Sequence, residues 1–290
     1  LGIVDAIGLE RLRHELPNRL ESEIAGRGVP NLILSNEVLA ARLRMSTEIE
    51  RLKQLCDRIA ASTRIIVYIR NQVDYLAGIY TTAVIDGSPL DFDPLRWARQ
   101  ADYAAMLARW TSVFGRENVV VRRYEKENFP DGDVRKDFLR QLGIEPATLA
   151  KTRYLNRSLD AESIAFVRAF NRRVPFAFAR RIAPLRYSIV AVLGRRRGGK
   201  TFAISRTLAN QITDMFRTSN AQVAAQYFPS LSSALFSPAC SVDDAGTDKP
   251  LPWNKALGMA ATLAPLAIFW YCASLVRRMA EKWRCDFALR

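Results

Sequence analysis

Along the first half of the chain the apolar positions switch between two periods. Leu9, Leu12, Leu16, Leu20 and Ile24 recur every three or four residues, the stripe of an amphipathic helix over residues 5–25. Pro17 either kinks that helix or opens a second one. Gly26, Gly28 and Pro30 end it. Asn31–Ser35 (NLILS) reads as a short apolar strand, followed by Asn36 and Glu37. Thr47 and Glu50 have capping-box spacing ahead of a helix that turns Ile49, Leu52, Leu55 and Ile59 inward. Ile65–Ile69 (IIVYI) is a nearly unbroken β-branched and aromatic run, which predicts a strand buried on both faces, as in a parallel sheet. It stops at Arg70, Asn71 and Gln72. Val73, Leu76, Ala77 and Tyr80 then return at helical spacing.

The alternation continues. Residues 86–93 (DGSPLDFD) predict a loop. Asp93 and Pro94 suit the N-cap and first position of a helix that buries Trp97, Leu107, Trp110 and Phe114 and ends at Gly115. Asn118–Arg123 (NVVVRR) predicts a third strand, and Asp133–Leu142 a helix stopped by Gly143. Strands alternating with helices imply an α/β fold, a parallel sheet covered by helices. Past about residue 150 the strand signals mostly stop. Helices are predicted over Asp160–Asn171 and Ser205–Tyr227. Residues 229–254, rich in Ser, Pro, Asp and Gly, read as a linker. The division is therefore an α/β domain over 1–228, the linker, and an extension over 255–290.

Charge narrows the partners. The 290 residues carry 43 Lys+Arg against 29 Asp+Glu, a formal net charge of +14. That favours anionic partners. The cations are spread and no nucleic-acid motif is present, so a phosphorylated or sulfated ligand or an anionic membrane is preferred to nucleic acid. Cys56, Cys240, Cys272 and Cys285 form no CxxC pair, and His14 is the sole histidine. Those spacings argue against a metal site or a disulfide framework and fit a reducing compartment.

Arg70 stands where a buried strand meets a helix. In open α/β sheets ligands bind at that edge, and a guanidinium can fork two hydrogen bonds onto a phosphate. The alternative is an ordinary surface arginine. Arg122 and Arg123 end the third strand, where one can face a ligand while its neighbour faces out, or where both can pair with Glu125 or Glu127. Gly194–Thr201 (GRRRGGKT) matches the P-loop pattern after the apolar run Ile189–Leu193, which would put Lys200 on phosphate and Thr201 on magnesium. Three consecutive arginines crowd that loop, and no strand ending in aspartate follows. A basic anion-binding loop or a solvated turn is preferred.

The order of these pieces resembles the family of sulfotransferases dependent on 3′-phosphoadenosine 5′-phosphosulfate (PAPS), in its bacterial carbohydrate-type branch. The matching stretches are LILSNE (32–37), VYIRNQVDYLAGIY (67–80), RWTSVFGRENVVVRRYE (109–125), DFLRQLGI (137–144), LNRSLDAE (155–162) and SNAQVAAQYF (219–228). The resemblance implies a P-loop-type α/β fold and transfer of a sulfuryl group from PAPS to a hydroxyl of a carbohydrate or similar acceptor, without a metal. It places Arg70 on the 3′-phosphate of PAPS or its product PAP and Arg123 at the same edge. Gly78 falls where the family has a phosphate-binding serine. It offers Glu37 as the base that takes the acceptor proton; a carboxylate capping the next helix is the structural alternative. It also implies a first strand and a 5′-phosphosulfate loop upstream of Leu1, so the chain is expected to be incomplete at its N-terminus. A non-catalytic, membrane-associated protein that keeps the fold is the second reading, and an NTP-binding protein using 194–201 is the third.

Ala256–Val276 is apolar and uncharged, and Arg277, Arg278, Lys282 and Arg284 follow it. Its length suits one membrane span. A span with a cytoplasmic basic tail would put the sheet on the side opposite cytosolic PAPS, by the positive-inside rule. A helix lying in the inner surface of the membrane, with contact through 256–284, avoids that conflict. The expected location is cytoplasmic, attached to that inner face.

Overall fold

A computed structural model describes residues 6–36, 38–145, 158–174, 182–196, 198–247, 249 and 251–265. Its elements run α1 (Ala6–Arg27), α2 (Leu39–Arg42), α3 (Ser46–Ile59), β1 (Ile65–Ile69), α4 (Gln72–Ile85), α5 (Ala98–Ala101), α6 (Tyr103–Phe114) and β2 (Val119–Arg123). They continue with α7 (Val134–Gln141), α8 (Ala161–Arg173), α9 (Ala183–Leu193), β3 (Ile204–Ser205), α10 (Arg206–Met215), α11 (Arg217–Tyr227) and β4 (Val242–Asp243). The protein is mixed α/β, mostly helical, with a small parallel sheet. The chain divides into two units: residues 1–70, 98–147 and 216–237 form one, and 71–97, 148–215 and 238–290 the other.

In the first unit β1 and β2 pair in parallel, from Ile65 opposite Val119 to Ile69 opposite Arg123. Parallel strands need both faces covered. Ile49 of α3, Tyr103, Met106, Leu107, Trp110 and Phe114 of α6, Val223 of α11 and Leu235 gather with Ile69, Val119 and Val121 in one buried cluster. The Trp110 and Phe114 rings stack at 5.8 Å between centroids. Glu48 caps α3 by accepting the backbone N–H of Met45 and Arg44, so the cap lies two residues before the expected Thr47–Glu50 pair. On α1, a single helix through Pro17, the expected inward stripe is only partly buried: Leu12 and Leu16 are exposed. Arg58 of α3 holds that helix instead, through Glu21 at 2.5 Å and Asn18 at 3.0 Å.

The second unit is built on α4. Asn71 caps it by accepting the N–H of Val73, and Val73, Leu76, Ala77, Tyr80 and Val84 are buried. Helices α8, α9 and α10 pack against it. At its C-terminus Arg186 donates to the carbonyls of Ile85 and Asp86, and Asn171 to those of Val84 and Ser88. These buried donors reach carbonyls in the last turn of the helix and in the loop that follows it. The two-residue strands β3 and β4 pair in parallel.

Several expected elements differ. Asn31–Ser35 is not a strand: it makes no ladder among the described residues, and Leu32, Ile33 and Leu34 are exposed. A β-prone run becomes a strand only where a partner completes its hydrogen bonds. The helix expected from Asp93 is broken. Asp93 caps a single 3-10 turn, and Asp102 restarts the helix by accepting the N–H of Ala105. Ser205–Tyr227 is two helices, parted at the buried Phe216. The apolar run Ile189–Leu193, which a P-loop would need as its strand, is the end of α9, because Ile189 and Leu193 bury on one helical face and Pro184 opens the helix. Residues 229–254, expected as a linker, contribute the buried Leu235 and the strand β4. Residues 253–265 are helical, and the remainder of Ala256–Val276 lies outside the described residues. Among those described, no helix is long and apolar enough to cross a membrane.

Leu107 is 1% exposed at the centre of the first core. Leu107→Ala is expected to cost about 2–5 kcal/mol in urea unfolding, whereas Leu16→Ala on the exposed face of α1 is expected to stay within about 0.5 kcal/mol.

Candidate functional site

The carboxyl edge of the first unit's sheet is assembled by the ladder itself. Tyr124 N–H donates to the Ile69 carbonyl at 2.7 Å, carrying the pairing one residue past the strand. The register puts Arg123 opposite Ile69, so Arg70 and Tyr124 emerge together. Tyr103 fixes the backbone there: its hydroxyl donates to the Arg70 carbonyl at 2.8 Å and accepts the Arg70 N–H at 3.4 Å. The Arg70 side chain is exposed, with its guanidinium 6.0 Å from the centre of the exposed Tyr124 ring. That is an attractive cation–π geometry, worth about 0.5–1 kcal/mol at an exposed site.

Arg123 is differently placed. Its guanidinium donates to the Leu235 carbonyl and to Asn128 Oδ1, both at 3.1 Å, and pairs with Glu125 at 3.4 Å. Glu125 in turn accepts Asn128 Nδ2 at 2.8 Å and the Ser237 N–H at 2.6 Å. This network fastens residues 235–237 to the end of β2. The Glu125 pairing is the structural alternative open in the sequence.

Beside it lies a buried carboxylate. Asp137, 2% exposed, accepts the Tyr68 hydroxyl at 2.7 Å and Arg122 Nε at 3.1 Å, with a second bond from Arg122 to its other oxygen. Tyr68 and Arg122 are direct partners in the ladder. Burial first, and then the hydrogen bond to Asp137, raise the Tyr68 phenol well above its ordinary value of 10.0. The half-buried Arg122 guanidinium is thus engaged by a carboxylate.

Of the other expected site residues, Glu37 lies outside the described residues. Gly78 belongs to the second unit, on the exposed face of α4, and a Cβ added there meets nothing within 4 Å. Gly194–Thr201 lacks the strand–loop–helix setting that a P-loop requires. A helix precedes it, α10 begins only at Arg206, Lys200 pairs with Asp243 at 3.3 Å, and Thr201 bridges to Asp160. A side chain at Gly199 would run into the Asp160 carboxylate. Sequence reasoning missed Asp74, buried in the first turn of α4, which accepts the N–H of Ser241 at 2.7 Å and of Cys240 at 3.3 Å. It also missed Arg168, whose buried guanidinium meets the Tyr80 hydroxyl at 2.6 Å and Asp91 at 3.0 Å. Neither long-range pairing leaves a local signal in the sequence.

No family model matches the chain, and no solved structure matches it. A protein of Archaeoglobus fulgidus is 31% identical over 172 residues, covering 57% of this chain and 46% of that protein, and bears the name uncharacterized protein. The chain spans about half the length of this relative. That name assigns no activity.

The Tyr68 shift sets a pH dependence. In the unfolded chain the phenol ionises near 10.0, while in the folded chain it keeps its proton to higher pH. The stabilisation is complete below that value and is lost as pH rises through the folded one. Alkaline unfolding should therefore show a loss of stability above pH 10 that Tyr68→Phe reduces. Asp137→Ala, which leaves Arg122 without its carboxylate, is expected to cost about 3–5 kcal/mol at neutral pH by urea denaturation.

Proposed function

We propose that this is a sulfotransferase-like protein, with a P-loop NTPase-like parallel sheet, that moves a sulfuryl group from PAPS to a hydroxyl of a carbohydrate or similar acceptor. The observation that carries the reading is Arg70, exposed at the carboxyl end of a parallel strand and immediately ahead of the Asn71-capped helix α4. A guanidinium on that edge is suited to a phosphate. The ordered segments that resemble the family support the same reading. In the proposed reaction the acceptor oxygen bonds to sulfur and the bridging sulfur–oxygen bond breaks. Its electron pair leaves with PAP, and the acceptor proton passes to a base, for which Glu37 is the candidate. Such an enzyme works where PAPS is made, in the cytoplasm.

A second reading, a non-catalytic protein that keeps the fold, is favoured by Gly78, which offers no hydroxyl, and by Arg123, already held by Leu235, Asn128 and Glu125. Incubation with labelled PAPS and a panel of glycans separates the two, since transfer to any of them rejects the second.

Calorimetric titration with PAP tests the site. Arg70→Ala is expected to weaken binding by about 2 kcal/mol, the scale of a charge-assisted hydrogen bond. Unchanged affinity in Arg70→Ala removes Arg70 from the site, and absence of PAP binding by the unaltered protein overturns the proposal.

A further inference from the structure

Arg70 belongs to neither of the elements it joins, since β1 ends at Ile69 and α4 opens at Gln72. A residue at such a junction stands outside the regular ladders, yet its N–H and C=O still need partners. Tyr103 serves both. Its hydroxyl donates to the Arg70 carbonyl at 2.8 Å and accepts the Arg70 N–H at 3.4 Å. A phenol is a donor and an acceptor at once, so one side chain can hold both groups. Tyr103 is 4% exposed, whereas the Arg70 side chain is at the surface beside Tyr124.

Two sets of contacts hold Tyr103 in turn. It is the first residue of α6, and Asp102 before it accepts the Ala105 N–H at 3.2 Å and the Ser219 hydroxyl at 2.8 Å. Ser219 accepts the Ala104 N–H at 3.1 Å, so the start of α6 is tied to α11. On its other side the Tyr103 ring meets Phe236 edge to face, 6.1 Å between centroids. Phe236 lies between Leu235, whose carbonyl takes Arg123, and Ser237, whose N–H goes to Glu125. The network at the end of β2 therefore holds the ring that backs Tyr103.

We propose that Tyr103 is a positioning residue for an anion site at Arg70, with Phe236 as its backing. Buried as it is, Tyr103 does not bind the anion itself. It fixes the Arg70 main chain, so that the guanidinium meets a phosphate from a set position. A main chain fixed in advance leaves less to order on binding, which raises affinity. The inference rests on the reading of Arg70 as a phosphate ligand.

Calorimetric titration of the whole protein with PAP and, separately, with inorganic pyrophosphate tests it. Tyr103→Phe keeps the ring and removes only the hydroxyl. It is expected to weaken binding about tenfold, and Phe236→Leu about threefold. Thermal unfolding sets a temperature at which each variant is folded. If Tyr103→Phe does not fold, Phe236→Leu, which removes no hydrogen bond, carries the test. A double-mutant cycle separates positioning from general loosening of the fold. In the Arg70→Ala background Tyr103→Phe should change affinity little, because the group it positions is gone. Unchanged affinity in folded Tyr103→Phe, or an equal loss in both backgrounds, overturns the inference and leaves Arg70 as a ligand. Pyrophosphate binding that depends on Arg70 and Tyr103, without PAP binding, upholds the inference and overturns the sulfuryl-transfer reading. Binding of neither anion overturns both.

Discussion

The pairing of Ile65–Ile69 with Val119–Arg123 is the constraint from which the first unit follows. A two-stranded parallel pair does not hold itself in water, and its hydrogen bonds persist only where apolar cover excludes solvent. Here α3, α6 and α11 supply Ile49, Leu107, Trp110 and Val223 as that cover. The register then decides what stands at the carboxyl edge. Ile69 opposite Arg123 sends Arg70 and Tyr124 out side by side, and Tyr68 opposite Arg122 lets one buried carboxylate, Asp137, hold both strands. A slip of one residue would turn every side chain of one strand to the other face, removing Asp137's partners along with the core.

The second unit solves a different problem. Helix α4 is apolar along much of its length, and its polar burden collects at its ends. Asn71 caps the first turn, and the buried Asp74 takes two backbone N–H groups from residues 240 and 241. Anions suit a helix N-terminus, and cations suit the C-terminus, where Arg186 meets the last carbonyls. Buried charges are tolerated because each meets a group of the opposite sign or dipole. Gly87, at φ 115°, lies against the Arg186 guanidinium, where a side chain would collide with it.

What could be read from the sequence was what neighbouring residues decide among themselves. The β-branched run at 65–69, the helix starts at Asp133 and Asp160, where each aspartate caps its helix, and the stop at Gly143 are local, and each element begins or ends where expected. The failures arise where distant groups decide. NLILS reads as a short strand in sequence, yet among the described residues only IIVYI meets a partner strand. IVAVL is β-branched, but burial of Ile189 and Leu193 on one side makes it helical. Asp102 interrupts a long apolar pattern because Ser219, far along the chain, donates to the carboxylate that caps the next helix. Asp74, Arg168 and Asp137 find their partners only after folding, so no window of sequence reveals them.

The two arginines at the sheet edge show why strand position alone does not define a site. Both follow or end a parallel strand, and both read as phosphate ligands. Arg123 is 19% exposed in its side chain and its partner Glu125 11%. Turning Arg123 to a ligand would leave the Leu235 carbonyl and the Glu125 carboxylate short of donors in a poorly solvated place, a cost of the same order as the bond gained. Arg70 is exposed, and its backbone, not its guanidinium, is what Tyr103 secures. The Arg70 side chain lies at the surface, whereas that of Arg123 is built into the end of β2.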